Sequence, residues 1–134
     1  MKKFVAFWYT VFMSEKTVFK KIIDGEIKAY KIYEDDDFLV FLDAFPKSLG
    51  HTLVIPKQEA RWVWEVEKYN EYFELARKIA QAQQKAFETD MIFMAVQGDE
   101  VPHAHIHLRP KNIPDESMDI RDFEAIAEKI KKAL

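Results

Sequence analysis

The chain has 134 residues, enough to bury one core and too few for two ordinary domains. Hydrophobic residues at 49% and charged residues at 32% exclude a disordered chain, and a net charge of −3 without a basic stripe argues against a duplex nucleic-acid binder. Cysteine is absent, which removes disulfides, thiol nucleophiles and thiolate metal sites and fits a cytoplasmic setting, while the three glycines compose neither common glycine-rich phosphate loop.

Met1–Met13 is two lysines followed by a nearly unbroken apolar run, too short to cross a bilayer as a helix and followed by no small-residue cleavage pattern. It is expected as an added strand or an extension (residues 1–13) ahead of a single domain over residues 14–134, covered by this subunit or another. Thr17 is positioned to cap a short helix over Val18–Asp24 that Gly25 ends, with Phe19, Ile22 and Ile23 inward. Two extended runs then lie within Tyr30–Asp43, and the acidic Glu34–Asp37 between them reads as a solvated turn rather than a calcium loop. Asp43 ends the second run, either as a plain turn aspartate or as a carboxylate held out to accept hydrogen bonds.

Gly50–Ile55 reads as a third strand stopped by Pro56, and it carries His51. Trp62 and Trp64 fall in a short turn. A long helix is expected from Lys68 to Glu88, with Tyr69, Tyr72, Phe73, Ala76, Ile79, Ala80, Gln83 and Phe87 forming the stripe that lies on a sheet. Met91–Gln97 is a fourth strand, turned by Gly98–Glu100 into a fifth. Asp119 is expected to cap a last helix over residues 119–134, whose apolar face is Phe123, Ile126, Ala127, Ile130 and Leu134. The sum is an α+β domain, a five-stranded antiparallel sheet with two main helices plus the C-terminal one.

The fifth strand, Val101–Pro110, places three of the four histidines at alternate positions. As a strand it would turn His103, His105 and His107 to one face and Ala104, Ile106 and Leu108 to the other, the core. Half-buried imidazoles are a poor way to build a sheet, so the histidine face is left for chemistry. Two readings stay open on spacing alone. Neutral imidazoles ligate divalent metals, although the outer two, about 13 Å apart on an extended strand, would not share one ion with the middle one. Alternatively the central imidazole is a nucleophile that its neighbours orient.

The run H-A-H-I-H-L resembles the histidine-triad signature of the HIT superfamily of nucleotide hydrolases and transferases. F-K-K-I-I-D-G-E-I at Phe19–Ile27, I-Y-E-D-D-D-F-L-V-F-L-D at Ile32–Asp43 and G-H-T-L-V-I-P-K at Gly50–Lys57 are similar to that superfamily's other motifs, in its order. The resemblance covers about Val18 to Pro110 and implies a HIT-like fold and a homodimer. It also implies a purine nucleotide such as AMP as ligand; no nucleic-acid or membrane partner is expected.

By the same resemblance His105 is the nucleophile toward the α-phosphorus of a nucleoside 5′-phosphoramidate, aminoacyl-adenylate or dinucleoside polyphosphate. His107 assists at the phosphate, and His103 and His51 fix their neighbours. Asp43 would accept from the ribose; Ala44, Phe41, Ile22, Phe19 and Ile27 would wall the base, and Gln97 would serve the phosphate. No cofactor is required on this reading. The alternative is a non-catalytic nucleotide- or divalent-metal-binding module using the histidine cluster. One departure stands out: V-Q-G-D-E-V is a short loop with Asp99 where glutamine would be, and a carboxylate near a phosphate is repulsive.

Overall fold

A computed structural model describes residues 16–134; the apolar extension over residues 1–13 lies outside the described residues. Thr17 accepts from the backbone N–H of Lys20 (3.1 Å) and opens α1, Val18–Ile23, after which Gly25 takes φ +81°. Strands β1 (Lys31–Glu34) and β2 (Phe38–Leu42) form a hairpin, and β3 (Thr52–Pro56) pairs antiparallel to β2. A 3₁₀ turn at Val63–Glu65 leads into α2, Tyr69–Phe87, then β4 (Ile92–Val96), β5 (Ile106–Pro110) and α3, Phe123–Lys132. The sheet order is β1-β2-β3-β5-β4, antiparallel throughout.

Both faces of the central strands are covered, which is why β2 is the unbroken apolar run F-L-V-F-L rather than an alternation. Phe38, Val40, Leu42, Val54, Ile106 and Leu108 face α2 and α3, while Leu39, Phe41, Leu53 and Ile55 face α1 with Phe19 and Ile22. Each such fully buried side chain contributes roughly 1.5–3 kcal/mol through removal from water. The Tyr72 hydroxyl donates to the Val54 carbonyl (2.7 Å), and its ring stacks on Phe38, so α2 is keyed to the middle of β3.

Five expectations need correction. The fifth strand begins at Ile106, not Val101, because the residues before it have spent their hydrogen bonds elsewhere. Pro102 has no N–H, Ala104 N–H donates to the Ala60 carbonyl (2.7 Å), and the His103 carbonyl accepts from a side chain. The connection between β4 and β5 therefore runs from Gln97 to His105 rather than turning at Gly98–Glu100. The third strand starts at Thr52 and includes Pro56, opposite Phe38, since Gly50 at φ +81° is not extended. The last helix is capped by Asp122 rather than Asp119, whose carboxylate instead accepts from the Arg121 N–H in a local turn. Along α2, Tyr69 is exposed while Leu75 and Ala82 are buried, so the stripe starts at Tyr72 and is wider than predicted.

Candidate functional site

On the α1 side of the sheet, the end of β2, the start of β3, β5 and the Gln97–His105 connection surround a cavity of about 450 Å³. Its lining includes His51, His105, His107, Asp43, Ala44, Phe41, Phe19, Ile22, Ile27 and Gln97, so every predicted site residue except His103 meets there. A larger open hollow of about 790 Å³, between α2 and the chain end, contains no histidine.

The register places the histidines. Leu53 pairs with His107 across β3 and β5, so His107 projects from the α1 face, and His51, just before β3, reaches it: His51 Nε2 and His107 Nδ1 are 2.9 Å apart. The backbone N–H of Lys47 donates to His51 Nδ1 (3.1 Å), so the neutral ring carries its proton on Nε2 and donates it to His107 Nδ1. His107 must then hold its own proton on Nε2, as a donor. Asp43 Oδ2 lies 3.4 Å from His51 Nε2, and its other oxygen accepts from the Phe45 N–H (2.9 Å).

His105 is oriented differently. Its Nδ1 is 2.6 Å from the His103 carbonyl, which can only accept, so Nδ1 carries the proton and Nε2 is a bare lone pair. The Phe19 ring meets it edge-on at 4.8 Å, and the His107 ring lies at 4.9 Å. His103 is buried away from the cavity, its Nε2–H on the Pro56 carbonyl (2.8 Å); its backbone, not its imidazole, touches His105.

Burial lowers all four histidines from the ordinary 6.5. It takes His51 to about 4, against the opposing pull of Asp43, and His107 to about 3, with His105 and His51 adding to the effect. His103 and His105 move the same way. For His105 the bond to the His103 carbonyl, then Asp43, Asp99 and Glu100, partly offset burial. The rings are thus held neutral near pH 7, the state in which an imidazole is a nucleophile, a hydrogen-bond donor or a metal ligand.

Several lining residues escaped the sequence reading. Lys47 supplies the backbone donor that sets the His51 tautomer, and no side-chain pattern signals a backbone donor. Tyr30 and Phe123, stacked at 5.3 Å, bring β1's approach and α3 to the cavity from far apart in the chain. Glu100 lines it beside Asp99, whose position in the loop was already notable.

The chain as a whole is similar to known proteins. The HIT domain model matches residues 24–113. An uncharacterized HIT-like protein of Borreliella burgdorferi is 38% identical over 103 residues, covering 70% of this chain and 74% of that relative. The crystal structure of a Hit-like protein involved in cell-cycle regulation from Bartonella henselae, with an unknown ligand, superposes with a TM-score of 0.77 at 34% identity, covering 89% of this chain and 97% of that one. A zinc-bound histidine triad family protein from Mycobacterium smegmatis gives a TM-score of 0.72 at 31% identity, over 87% of this chain and 91% of that one. With a family match spanning most of its length and the triad region converging on one cavity, the chain belongs to the HIT family.

Proposed function

We propose that this protein is a nucleotide phosphoramidase or hydrolase that cleaves at the α-phosphorus through a nucleotidyl-histidine intermediate on His105. Family membership supports the broader statement, a nucleotide-binding hydrolase or transferase kind of function. The observation that carries the finer one is the 2.6 Å bond from His105 Nδ1 to the His103 carbonyl, which leaves Nε2 as a free base on the cavity side.

In this reading a purine nucleotide such as AMP places its base among Phe19, Ile22, Ile27 and Phe41, with Ala44 at the edge and its ribose hydroxyls on Asp43. His105 Nε2 attacks the α-phosphorus as the bond to the leaving group breaks. His107 Nε2–H and Gln97 donate to the phosphoryl oxygens, where negative charge grows. The leaving amine departs neutral with a proton taken from solvent. Water then attacks the same phosphorus, its hydroxyl staying on the released nucleoside monophosphate and its proton returning to solvent, as the His105 Nε2–phosphorus bond breaks and Nε2 recovers its lone pair. Among leaving groups, Asp99 and Glu100 favour an amine over a polyphosphate, since two carboxylates at the cavity repel further anionic phosphates.

A second reading rests on Asp43, His51 and His107, whose ligand atoms all lie within 4.8 Å of one another. Three such donors suit zinc with one open position, and the mycobacterial relative was obtained zinc-bound. Against it, the His51 Nε2 and His107 Nδ1 atoms are occupied with each other at 2.9 Å, so an ion would have to displace the proton between them.

The deciding measurement is AMP release from adenosine 5′-phosphoramidate, with chelator present, by the native protein and by His105→Ala, alongside metal analysis of tag-free protein. We expect turnover by the native chain that falls by at least about three orders of magnitude in the variant. No release from this or from a dinucleoside polyphosphate, together with stoichiometric metal, would favour the binding module.

A further inference from the structure

Directly behind the histidine pair, on the other face of the sheet, α2 buries a glutamine. Gln83 has no exposed surface, and its amide nitrogen donates to two carbonyls at once, Gly50 (3.0 Å) and Leu108 (3.1 Å). Both neighbours are acceptors, which fixes the amide with its NH₂ toward them. Gly50 immediately precedes His51, and Leu108 immediately follows His107.

The two strands need this bridge here. Their ladder runs through Val54, Leu53 and Thr52, which pair with Ile106, His107 and Leu108, and it stops there, because Gly50 turns away at φ +81° against the Phe87 ring. The backbone that carries His51 is therefore not held to β5 by ladder hydrogen bonds. The Gln83 amide spans the gap on one face, as the His51–His107 hydrogen bond does on the other. Among the described residues Gln83 Oε1 is buried without a partner, a cost that leucine or methionine would not incur. The site keeps a residue with an orphaned acceptor for the sake of its two donors.

We propose that Gln83 is a positioning residue: by tying the Gly50 and Leu108 carbonyls together it sets the His51–His107 contact, and with it the His107 tautomer that points Nε2–H into the cavity. Only the kinetic consequence rests on the hydrolase reading; the tautomer consequence does not.

The test compares Gln83→Met, which keeps the shape and removes both donors, with Tyr72→Phe, which removes another buried bond from α2 to β3 at Val54, away from the histidines. Long-range ¹H–¹⁵N spectra of the imidazoles should show His51 and His107 each protonated on Nε2 in the native protein and in Tyr72→Phe. In Gln83→Met the His107 signals should become a mixture of tautomers. With the phosphoramidate, kcat should fall about 10- to 100-fold in Gln83→Met, the scale of a misplaced catalytic group, while KM for the nucleotide changes less than about twofold.

Native tautomers and kcat in Gln83→Met, or the same losses in both variants, would overturn the proposal. Should Gln83→Met fail to fold, Gln83→Glu carries the same comparison, since its neutral acid retains one donor: tautomer order, and kcat relative to the native protein at the same pH, should then recover as pH falls, and a pH-independent ratio would count against Gln83. If the native protein releases no AMP, the hydrolase reading fails, and the spectra still decide the role of Gln83.

Discussion

At the scale of single residues, the site is governed by which imidazole nitrogen carries the proton. Two backbone groups decide it, the Lys47 N–H at His51 and the His103 carbonyl at His105, and they leave His107 as a donor beside His105 as a lone pair. Neutral His105 is the reactive form, and burial lowers its affinity for protons below the ordinary 6.5. The rate of AMP release, as kcat/KM, should therefore be flat from about pH 8 to pH 7 and fall only on the acid side, with its midpoint below about 6.5. An acid limb centred above that value would mean that the nucleophile is not held neutral by burial, and would move the assignment away from His105. Of the four histidines, three reach the cavity and one does not. Alternation alone placed His103 with its neighbours, but its ring is drawn to Pro56, an acceptor that only the packing of β3 against the approach to β5 provides.

At the scale of elements, the short ones were legible because their ends carry their own chemistry. Thr17 and Gly25 bracket α1, and acidic turn residues separate β1 from β2. Limits were misplaced where other hydrogen bonds compete with the expected pattern, tertiary ones at Val101–His105 and a local turn at Asp119. Strand β4 is one of the two edge strands, and Phe93, Met94 and Val96 on it are exposed; among the described residues nothing pairs with its outer edge. An open apolar edge of this kind is where a second copy would dock if the chain pairs as its family resemblance implies. Light scattering should give a mass near twice 15.9 kDa for the native chain, and Met94→Lys should shift it toward the monomer with the fold intact. A native protein that stays monomeric at tens of micromolar would set that assembly aside. No helix among the described residues is long and apolar enough to cross a membrane.

At the scale of the whole molecule, the buried histidines tie stability to pH. The folded chain refuses protons at His51 until about pH 4 and at His107 until about pH 3, whereas unfolded histidines take them near 6.5. Between those limits the unfolded state binds more protons, so stability is unaffected by these groups above about pH 7 and is lost as pH falls through the window. The loss is on the order of 3 kcal/mol for His51 alone. Urea midpoints should drop accordingly between about pH 7.5 and pH 4.5. A midpoint that does not move would show that these rings are solvated when folded.

Sequence by itself determined the α+β class, the order of the elements, the opposition of Ile106 and Leu108 in the core to His105 and His107 at the cavity, and the family. All of these depend on side-chain period, caps and motif order, which are local. Ten of the eleven predicted site residues do meet in one cavity. Tertiary structure alone decided which imidazole holds which proton, that His103 acts through its carbonyl, and that Phe123 and Lys47 belong to the site. It also placed Gln83, by pattern one more core position on α2, behind the histidine pair. Those outcomes turn on backbone donors and acceptors brought together from distant parts of the chain. Every residue carries the same backbone groups, so no arrangement of side chains along the sequence announces where they will be spent.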